Sequence, residues 1–368
     1  MKTKMILALL ASFVLLGGTA FAFHGGGVAH CDGCHSMHNS ADNPRAGSAT
    51  AASLMKGSDA SSTCLNCHDG VDRYHINSAN GGNTNQGGDF FWVSDAAVHD
   101  WVTRGTTYTA EPDAKGHNVI ALDFGLTQDA SLTVAPGGVY PANTLGCTSC
   151  HDPHGQVNGG TSNGTAPISV SGSYGAADPV DGSIHGNYRL LDDSIAAAPV
   201  ATANSYDGHS VDYGTGMSGW CAGCHLNFDT AANMHPTDVS VPVSYNSYVK
   251  TGDFTGDVAT ANDALVPFER GIDDGSLLDD QSTAGVSTGS EVVMCLSCHR
   301  AHASAFDNAL RWDNGEEFIA ESVILNEATT TLVADGAIPY YKGGAAVDIV
   351  AEYGEYQRQL CNKCHAKD

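Results

Sequence analysis

Basic side chains are scarce in this chain of 368 residues. Lysine and arginine together number 16, whereas aspartate and glutamate number 41, so the formal net charge is −25 when histidine is neutral. Non-specific binding to DNA or RNA needs a basic surface that neutralises phosphate, and this composition excludes it. The negative charge favours cationic partners or metal-bearing surfaces over anionic lipid.

Long apolar runs are also lacking, with one exception near the N-terminus. There, two lysines precede the apolar run Met5–Leu16, and Thr19-Ala20-Phe21-Ala22 follows it with the small residues typical of a cleavage site. This pattern predicts a secretory signal over residues 1–22 and an exported mature chain of residues 23–368, which we expect to form a single domain. No other run approaches the length of a membrane span, so we expect the mature chain to be soluble or held at a surface by protein contacts.

No cysteine falls outside one repeated motif. Cys31-Asp32-Gly33-Cys34-His35 has the form C-x-x-C-H, and six copies of this form use all 12 cysteines of the chain. The form is the attachment signature of a c-type haem, in which two thiols form thioethers to the porphyrin and the histidine is the proximal iron ligand. The sequence therefore predicts six covalently attached haem c groups. The attaching cysteines are Cys31, Cys34, Cys64, Cys67, Cys147, Cys150, Cys221, Cys224, Cys295, Cys298, Cys361 and Cys364, and the proximal histidines are His35, His68, His151, His225, His299 and His365.

Paired cysteines have three other common uses in proteins. Two C-x-x-C units can hold a structural zinc ion, a single unit can act as a redox dithiol, and 12 cysteines can form six disulfides in a secreted scaffold. None of these uses requires a histidine after every second cysteine. Here that histidine is present in all six copies, which favours haem.

Bulky side chains for a protein core are in short supply. Glycine accounts for 43 residues, aromatic residues make up only 8%, and small polar residues fill the intervals between the motifs. Porphyrins are large apolar plates that a chain can wrap around, so haem supplies the burial that the protein lacks. The predicted fold is that of a multihaem cytochrome c, mostly irregular coil with a few short helices wrapped around a stacked six-haem core. We expect the apoprotein not to fold.

Local patterns predict a few regular elements within this coil. Short helices are expected at Gly216–Phe228, Ala351–His365 and Val258–Phe268, and Phe318–Leu325 is expected to form a short strand or a helical turn. The aromatic run Phe90-Phe91-Trp92 is expected to pack on a haem or at an interface.

The second axial ligand of each iron must come from the remaining side chains. The chain has 17 histidines, so the six proximal ones leave 11. His38, His154 and His302 each follow a proximal histidine by three residues. A histidine that close cannot cross to the other face of its own haem, but it can reach the iron of a neighbouring haem packed against the first. These three are therefore the first candidates for distal ligands, and a surface or propionate-bonding role is the alternative.

Four further histidines are weaker candidates for distal ligands. His75, His117 and His235 lie beside residues that could pack on a ring face, and His24 lies close to the predicted mature terminus. Because histidines are in surplus, the methionines are expected to be packing residues rather than ligands. The histidines assigned to solvent or to propionates are His30, His99, His185 and His209.

Seven stretches beyond the bare motifs resemble a known family over most of the mature chain. They are F-H-G-G-G-V-A-H-C-D-G-C-H-S-M-H-N at 23–39, G-G-D-F-F-W-V at 87–93, K-G-H-N at 115–118, A-P-G-G-V-Y-P-A-N-T-L-G-C-T-S-C-H-D-P-H-G at 135–155, Y-G-T-G-M-S-G-W-C-A-G-C-H at 213–225, C-L-S-C-H-R-A-H-A-S-A-F-D at 295–307 and Y-Q-R-Q-L-C-N-K-C-H-A-K-D at 356–368. The chain resembles the OmcS-like family of extracellular hexahaem cytochromes from metal-reducing bacteria.

The resemblance implies an assembly as well as a fold. Members of that family polymerise into extracellular filaments that carry an unbroken stack of bis-histidine haems. One distal ligand comes across the subunit boundary from the histidine just after the first motif, which is His38 here. We expect its acceptor to be the haem on Cys295 and Cys298 of the next protomer. The resemblance implies another copy of the chain as partner, other cytochromes as electron donors, and extracellular acceptors such as metal oxides. The histidine-bearing segments that look like the family's are those of His75, His117, His154, His235 and His302.

Electron transfer follows from this ligation. An iron with both axial positions filled has no site for a substrate, and six irons in one small protein bring the haem edges close together, which predicts electron hopping along the row. Two alternatives stay open on the sequence. One is a multihaem reductase of nitrogen or sulfur oxyanions, which needs one haem with an open distal side. The other is a monomeric periplasmic shuttle with all of its ligands in cis.

Overall fold

Regular secondary structure is sparse in the computed structural model. The longest helix among the described residues has nine residues. The model describes residues 31–35, 54–71, 75–79, 81, 87–94, 99–103, 106–151, 153, 191, 196, 199–201, 213–228, 237, 239–241, 267–274, 277–278, 290–311, 318, 323–326 and 331–334.

The α-helices coincide with the C-x-x-C-H motifs. Each of the four in the described part of the chain contains the first cysteine of a motif, and the third motif begins in a 3₁₀ helix instead. The α-helices are α1 (Cys31–Cys34), α2 (Ala60–His68), α3 (Met217–Ala222) and α4 (Cys295–Cys298). The 3₁₀ helices are Phe90–Val93, Pro112–Lys115, Leu122–Phe124, Ala142–Thr144, Cys147–Ser149, Leu226–Phe228 and Asp307–Ala309.

Carboxylates cap the two longest of these helices. Asp59 precedes α2, and its Oδ1 accepts a hydrogen bond from the Ser62 amide at 2.7 Å. Helix α3 follows Gly216, whose φ of 92° lies in the left-handed region that favours glycine. Its cap comes from far along the chain, because Glu269 Oε1 accepts from the Met217 amide at 2.6 Å. Both carboxylates satisfy amides that a helix leaves unpaired and complement the helix dipole.

The strands pair in twos and do not form a larger sheet in the described part of the chain. β1 (His99–Thr103) pairs with β2 (Thr106–Ala110), β3 (Val200–Ala201) with β4 (Tyr213–Thr215), and β5 (Val323–Asn326) with β6 (Thr331–Ala334). All three pairs are antiparallel. In the first, Trp101 lies opposite Tyr108.

One apolar cluster forms a protein core of its own. It brings together Leu65 of α2, the 3₁₀ helix Phe90–Val93, the segment 119–126 and the segment 303–306. Leu65, Ala121 and Ala303 are fully buried. This core is larger than the composition predicts, because widely separated segments each contribute a few large side chains to the same place.

Three short segments lie side by side next to that core. We call residues 87–89, 115–117 and 302–304 the central ribbon. Its middle residue, Ala303, forms a parallel bridge with Gly88 and an antiparallel bridge with Gly116. The His302 amide donates to the Gly87 carbonyl at 2.7 Å, and the His117 amide donates to the His302 carbonyl at 2.8 Å. The ribbon therefore fixes two candidate ligand histidines on adjacent backbone segments.

A second buried region surrounds α3 and α4. Tyr213, Met217 and Met294 pack in one apolar cluster, and the backbone of Glu269 bridges both Tyr213 and Val292. Glu269 is 4% exposed, so its helix-capping carboxylate lies inside this region. The region joins the turns of the fourth and fifth C-x-x-C-H motifs into one packed unit.

Several elements predicted from the sequence can be compared with the structure. The helix expected at Gly216–Phe228 is confirmed as α3 followed by the 3₁₀ helix Leu226–Phe228. Of Phe318–Leu325, the described part forms a strand from Val323 onward, as one of the two options proposed. The rings of Phe90, Phe91 and Trp92 are buried in the protein's own core, and their contact with a haem or an interface stays a prediction. Ala351–His365 and residues 258–266 lie outside the described residues, and Pro267 and Phe268 are not helical.

The pairing of β1 with β2 was not predicted from the sequence. The sequence pattern that indicates it is the run of β-branched and aromatic residues on both sides of Arg104-Gly105, a two-residue connection typical of a hairpin. Within the described part of the chain, no helix is both long and apolar enough to cross a bilayer.

Candidate haem-attachment sites

Five of the six C-x-x-C-H motifs lie among the described residues. In the first, only Cys34 and His35 have described side chains, and the sixth (Cys361, Cys364 and His365) lies outside the described residues. The distal candidates His24, His38, His154 and His235 lie outside them as well. The structure therefore bears on the second to fifth motifs and on His75, His117 and His302.

Thiols from different motifs meet in two places. The Cys64 thiol donates a hydrogen bond to Cys147, and this contact, with burial, raises the pKa of Cys64 well above its usual range. The same contact lowers the pKa of Cys147. Cys221 and Cys295 form the second contact, which together with burial raises the pKa of Cys221. The second motif thus touches the third, and the fourth touches the fifth.

Longer-range interactions connect these pairs into a row. Charge on Cys34 adds to the rise in the pKa of Cys64, and charge on Cys150 adds to the rise for Cys221. The first motif therefore lies near the second, and the third lies near the fourth. Five attachment points follow one another in space in the order of the sequence. Groups attached to them would also be neighbours in that order.

Two candidate ligand histidines lie close together, at a centroid spacing that suits a metal between them. The ring centroids of His117 and His225 are 5.9 Å apart, with an interplanar angle of 56°. Two imidazoles that bind one metal from opposite sides have centroids about 6 Å apart, because each metal–nitrogen bond is about 2 Å long. His225 is the proximal residue of the fourth motif, so His117 has the spacing required of its distal partner.

A second histidine pair has the same geometry. The ring centroids of His151 and His302 are 6.4 Å apart at 62°. His151 is the proximal residue of the third motif, and Phe90 stacks on the His302 ring at 4.8 Å. His302 follows the fifth motif in sequence, but its ring lies beside that of His151 in the third motif.

Backbone carbonyls orient several of these imidazoles. The Nδ1 atom hydrogen-bonds a carbonyl oxygen in His75 (Val71, 2.6 Å), His117 (Ala301, 2.7 Å), His225 (Pro136, 2.8 Å) and His299 (Asn308, 2.7 Å). A ring nitrogen that faces a carbonyl must carry the proton, which leaves Nε2 as the nitrogen that could coordinate iron. The same arrangement orients histidine ligands in metalloproteins generally, so these donors fit a haem iron.

Burial favours the ligand form of His117. Desolvation lowers the pKa of this imidazole, and the charge of the adjacent His225 lowers it further. A lowered pKa keeps the ring neutral, and only a neutral imidazole can bind a metal. The Ala301 carbonyl opposes the shift, but it is the smaller effect.

His75 lies beside the second motif. The Ile76 amide donates to the His68 carbonyl at 2.9 Å, and the Gly70 amide donates to the Asn77 carbonyl at 2.8 Å. These bonds hold the segment after His75 against the end of α2. His75 therefore lies close to the backbone of His68, the last residue of the second motif.

Sequence reasoning missed the residues that hold the ligands in place. The carbonyl of Ala301 and the glycines Gly88 and Gly116 belong to no ligand motif. A Cβ at Gly88 would lie 1.8 Å from the Ala303 oxygen, and one at Gly116 would lie 2.4 Å from the His302 oxygen. Only glycine allows the ribbon segments to approach this closely. The signal available in the sequence was glycine directly before a candidate ligand, as in Lys115-Gly116-His117.

Comparison with known proteins places this arrangement in a family. The chain is 38% identical over 433 aligned positions to C-type cytochrome OmcS of Geobacter sulfurreducens, and the match covers 99% of each chain. The chain belongs to the OmcS family of c-type cytochromes. No family model matches the chain.

Two solved OmcS structures resemble this fold. One is a cryo-EM structure of the OmcS nanowires from Geobacter sulfurreducens, with a TM-score of 0.68, 37% identity, and coverage of 94% of this chain and 100% of that one. The other is the Outer Membrane Cytochrome S filament from the same organism, with a TM-score of 0.66, 36% identity and the same coverage. Membership of a family of c-type cytochromes implies covalently bound haem.

Proposed function

We propose that this chain is the subunit of an extracellular cytochrome filament, in which electrons hop along six bis-histidine c-type haems. Other cytochromes would donate the electrons, and external acceptors such as metal oxides would receive them. Residues 1–22 would be removed on export, and residues 23–368 would fold as one domain around the haem stack. Membership of the OmcS family supports this function, since the related solved structures are nanowires and filaments.

The observation that carries the proposal is that two candidate distal histidines lie close to the proximal histidines of other motifs. His117 lies near His225, and His302 lies near His151, each at a centroid spacing that suits an iron between them. We assign His117 as distal ligand of the haem on Cys221 and Cys224. By the same argument, His302 is the distal ligand of the haem on Cys147 and Cys150. In both pairs the second histidine would close the axial position that a reductase needs open for its substrate.

The protein's own groups have three tasks in this mechanism. Bound haem supplies one-electron exchange at iron. The cysteines would attach each porphyrin, and the closeness of Cys64 to Cys147 and of Cys221 to Cys295 would keep successive haems together. The histidines would ligate the irons, and the backbone carbonyls hold the imidazole rings in a fixed orientation. An iron that keeps the same two ligands in both oxidation states needs little rearrangement, which favours rapid electron transfer.

The remaining distal ligands are proposed from the sequence. His75, His154 and His235 would serve three further haems, and His24 is a weaker candidate. His38 would bind the haem on Cys295 and Cys298 of the next protomer, so that one coordination bond joins each pair of subunits. Head-to-tail contacts that do not close into a ring generate a fibre, which agrees with such a joint.

A substitution of His38 tests the polymer. The variant His38→Ala should keep six haems per chain, measured by haemochrome absorbance and intact mass, but it should lose filaments in electron micrographs of the secreted fraction. The matched control is His30→Ala, which removes a nearby histidine with no proposed ligand role. Intact filaments from His38→Ala would contradict the trans ligand, and loss of filaments from both variants would show that the segment matters for another reason.

A further inference from the structure

Two serines occupy equivalent positions in two different haem-attachment turns. Ser61 is the second residue of α2 and precedes Cys64 by three residues, and Ser218 is the second residue of α3 and precedes Cys221 by three. Each is 2% exposed or less. A serine near the start of a helix often bonds within its own helix, but both of these side chains contact another motif.

Each serine accepts a hydrogen bond from the first cysteine of the following motif. The Cys147 amide donates to Ser61 Oγ at 3.0 Å, and the Cys295 amide donates to Ser218 Oγ at 3.3 Å. These contacts span 86 and 77 residues of sequence. They lie beside the two thiol contacts described above, so each pair of motifs is joined both through a serine and through its first cysteines.

The receiving turns also share a construction. The third motif reads Cys147-Thr148-Ser149-Cys150 and the fifth reads Cys295-Leu296-Ser297-Cys298. Ser149 Oγ accepts from the Gly146 amide at 3.0 Å, and Ser297 Oγ accepts from the Met294 amide at 3.1 Å. Each serine thus closes its own turn, which leaves the amide of the first cysteine directed at the serine of the partner helix.

The first and sixth motifs lack both features. Val28 and Arg358 stand three residues before their first cysteines, and their third positions are Gly33 and Lys363. The pattern is therefore specific to the second and third motifs and to the fourth and fifth.

We propose that Ser61 and Ser218 are positioning residues that lock haem-attachment turns together in pairs, the second with the third and the fourth with the fifth. The inference rests on the proposed haem loading and adds to it an internal division into two paired units. Each cysteine sulfur continues into a thioether on the porphyrin edge, so the serine fixes how two porphyrin edges meet. The rate of electron exchange between two haems depends steeply on the distance and orientation of their edges. The serines would fix that distance and orientation without contacting either iron.

Soret circular dichroism of the haem-loaded chain tests this proposal, because an exciton couplet reports the relative orientation of two neighbouring porphyrins. Ser61→Ala and Ser218→Ala should each lose part of the couplet intensity, and the double variant should lose the sum of the two parts. All variants should retain six haems and an unchanged low-spin electron paramagnetic resonance spectrum.

The matched control is Ser62→Ala in the same helix. Ser62 is fully buried, and its hydroxyl bonds the Asp59 carboxylate at 2.8 Å and the Asp123 amide at 3.1 Å, but it contacts no second motif in these bonds. Its loss should lower the thermal stability and leave the couplet unchanged. A couplet that survives Ser61→Ala and Ser218→Ala, or that changes equally in Ser62→Ala, would overturn the proposal.

Threonine variants cover the case in which an alanine variant does not take up all of its haems. If an alanine variant carries fewer than six haems, Ser61→Thr and Ser218→Thr keep the hydroxyl and should restore both the haem count and the couplet. Threonine variants that lose as much of the couplet as alanine would overturn the role of the hydroxyl. An open haem in the unmodified protein would instead contradict the proposed function, and the two failures are thereby distinguishable.

Discussion

At the scale of residues, four histidines of this chain share one feature, a hydrogen bond between the Nδ1 atom and a backbone carbonyl. His75, His117, His225 and His299 each face a backbone carbonyl, which commits Nδ1 and leaves Nε2 for iron. The motif alone identifies the cysteines and the proximal histidines. It cannot identify the distal partners, because the contact that orients His117 comes from Ala301, 184 residues away.

Substitution of His117 tests its proposed role as a ligand. His117→Met should keep all six haems and raise the reduction potential of one of them, because a thioether ligand favours ferrous iron more than imidazole does. Spectroelectrochemical titration of the haem-loaded protein would show one-sixth of the absorbance change moving to a higher potential. His209→Met is the control, since His209 is assigned to solvent or a propionate. Unchanged potentials in His117→Met would remove His117 from the ligand set.

At the scale of elements, short backbone contacts replace long helices and sheets. The central ribbon holds His117 and His302 on neighbouring segments through single bridges at Ala303. Periodicity in the sequence gave no indication of the ribbon, because each segment is only three residues long. By contrast, α3 could be predicted, since it is a contiguous stretch that carries its own cysteine motif.

A matched pair of glycine substitutions tests the ribbon. Gly116→Ala should lower the free energy of unfolding by about 1–3 kcal/mol, since its Cβ would lie 2.6 Å from the Ala303 Cα and force the segments apart. Gly219→Ala is the control in α3. A Cβ there meets no atom within 4 Å, and alanine should stabilise the helix by about 0.5–1 kcal/mol. Guanidinium unfolding of the two haem-loaded variants at equal concentration measures both effects, and equal stabilities would contradict the ribbon's role.

At the scale of the whole molecule, a row of attachment points replaces a single large core. The contacts between Cys64 and Cys147 and between Cys221 and Cys295 follow the order of the motifs in the sequence. A separate protein core forms around Leu65 and Phe90 from segments that lie far apart in the sequence. Composition predicted the coil and the dependence on haem, but it underestimated this core, because burial depends on which distant segments meet. Composition and motif spacing give no direct indication of a filament. Membership of the OmcS family supports one, because the related solved structures are filaments.

The most direct measurement is the ligation state of all six irons in the purified protein. Resonance Raman and electron paramagnetic resonance spectra, recorded before and after addition of cyanide and nitrite, should show only six-coordinate low-spin haem and no change with either ligand. Such a result is required if a histidine occupies each distal position and the protein only transfers electrons. A high-spin signal that shifts on addition of either ligand would reveal an open iron, and it would contradict the account in favour of a catalytic haem.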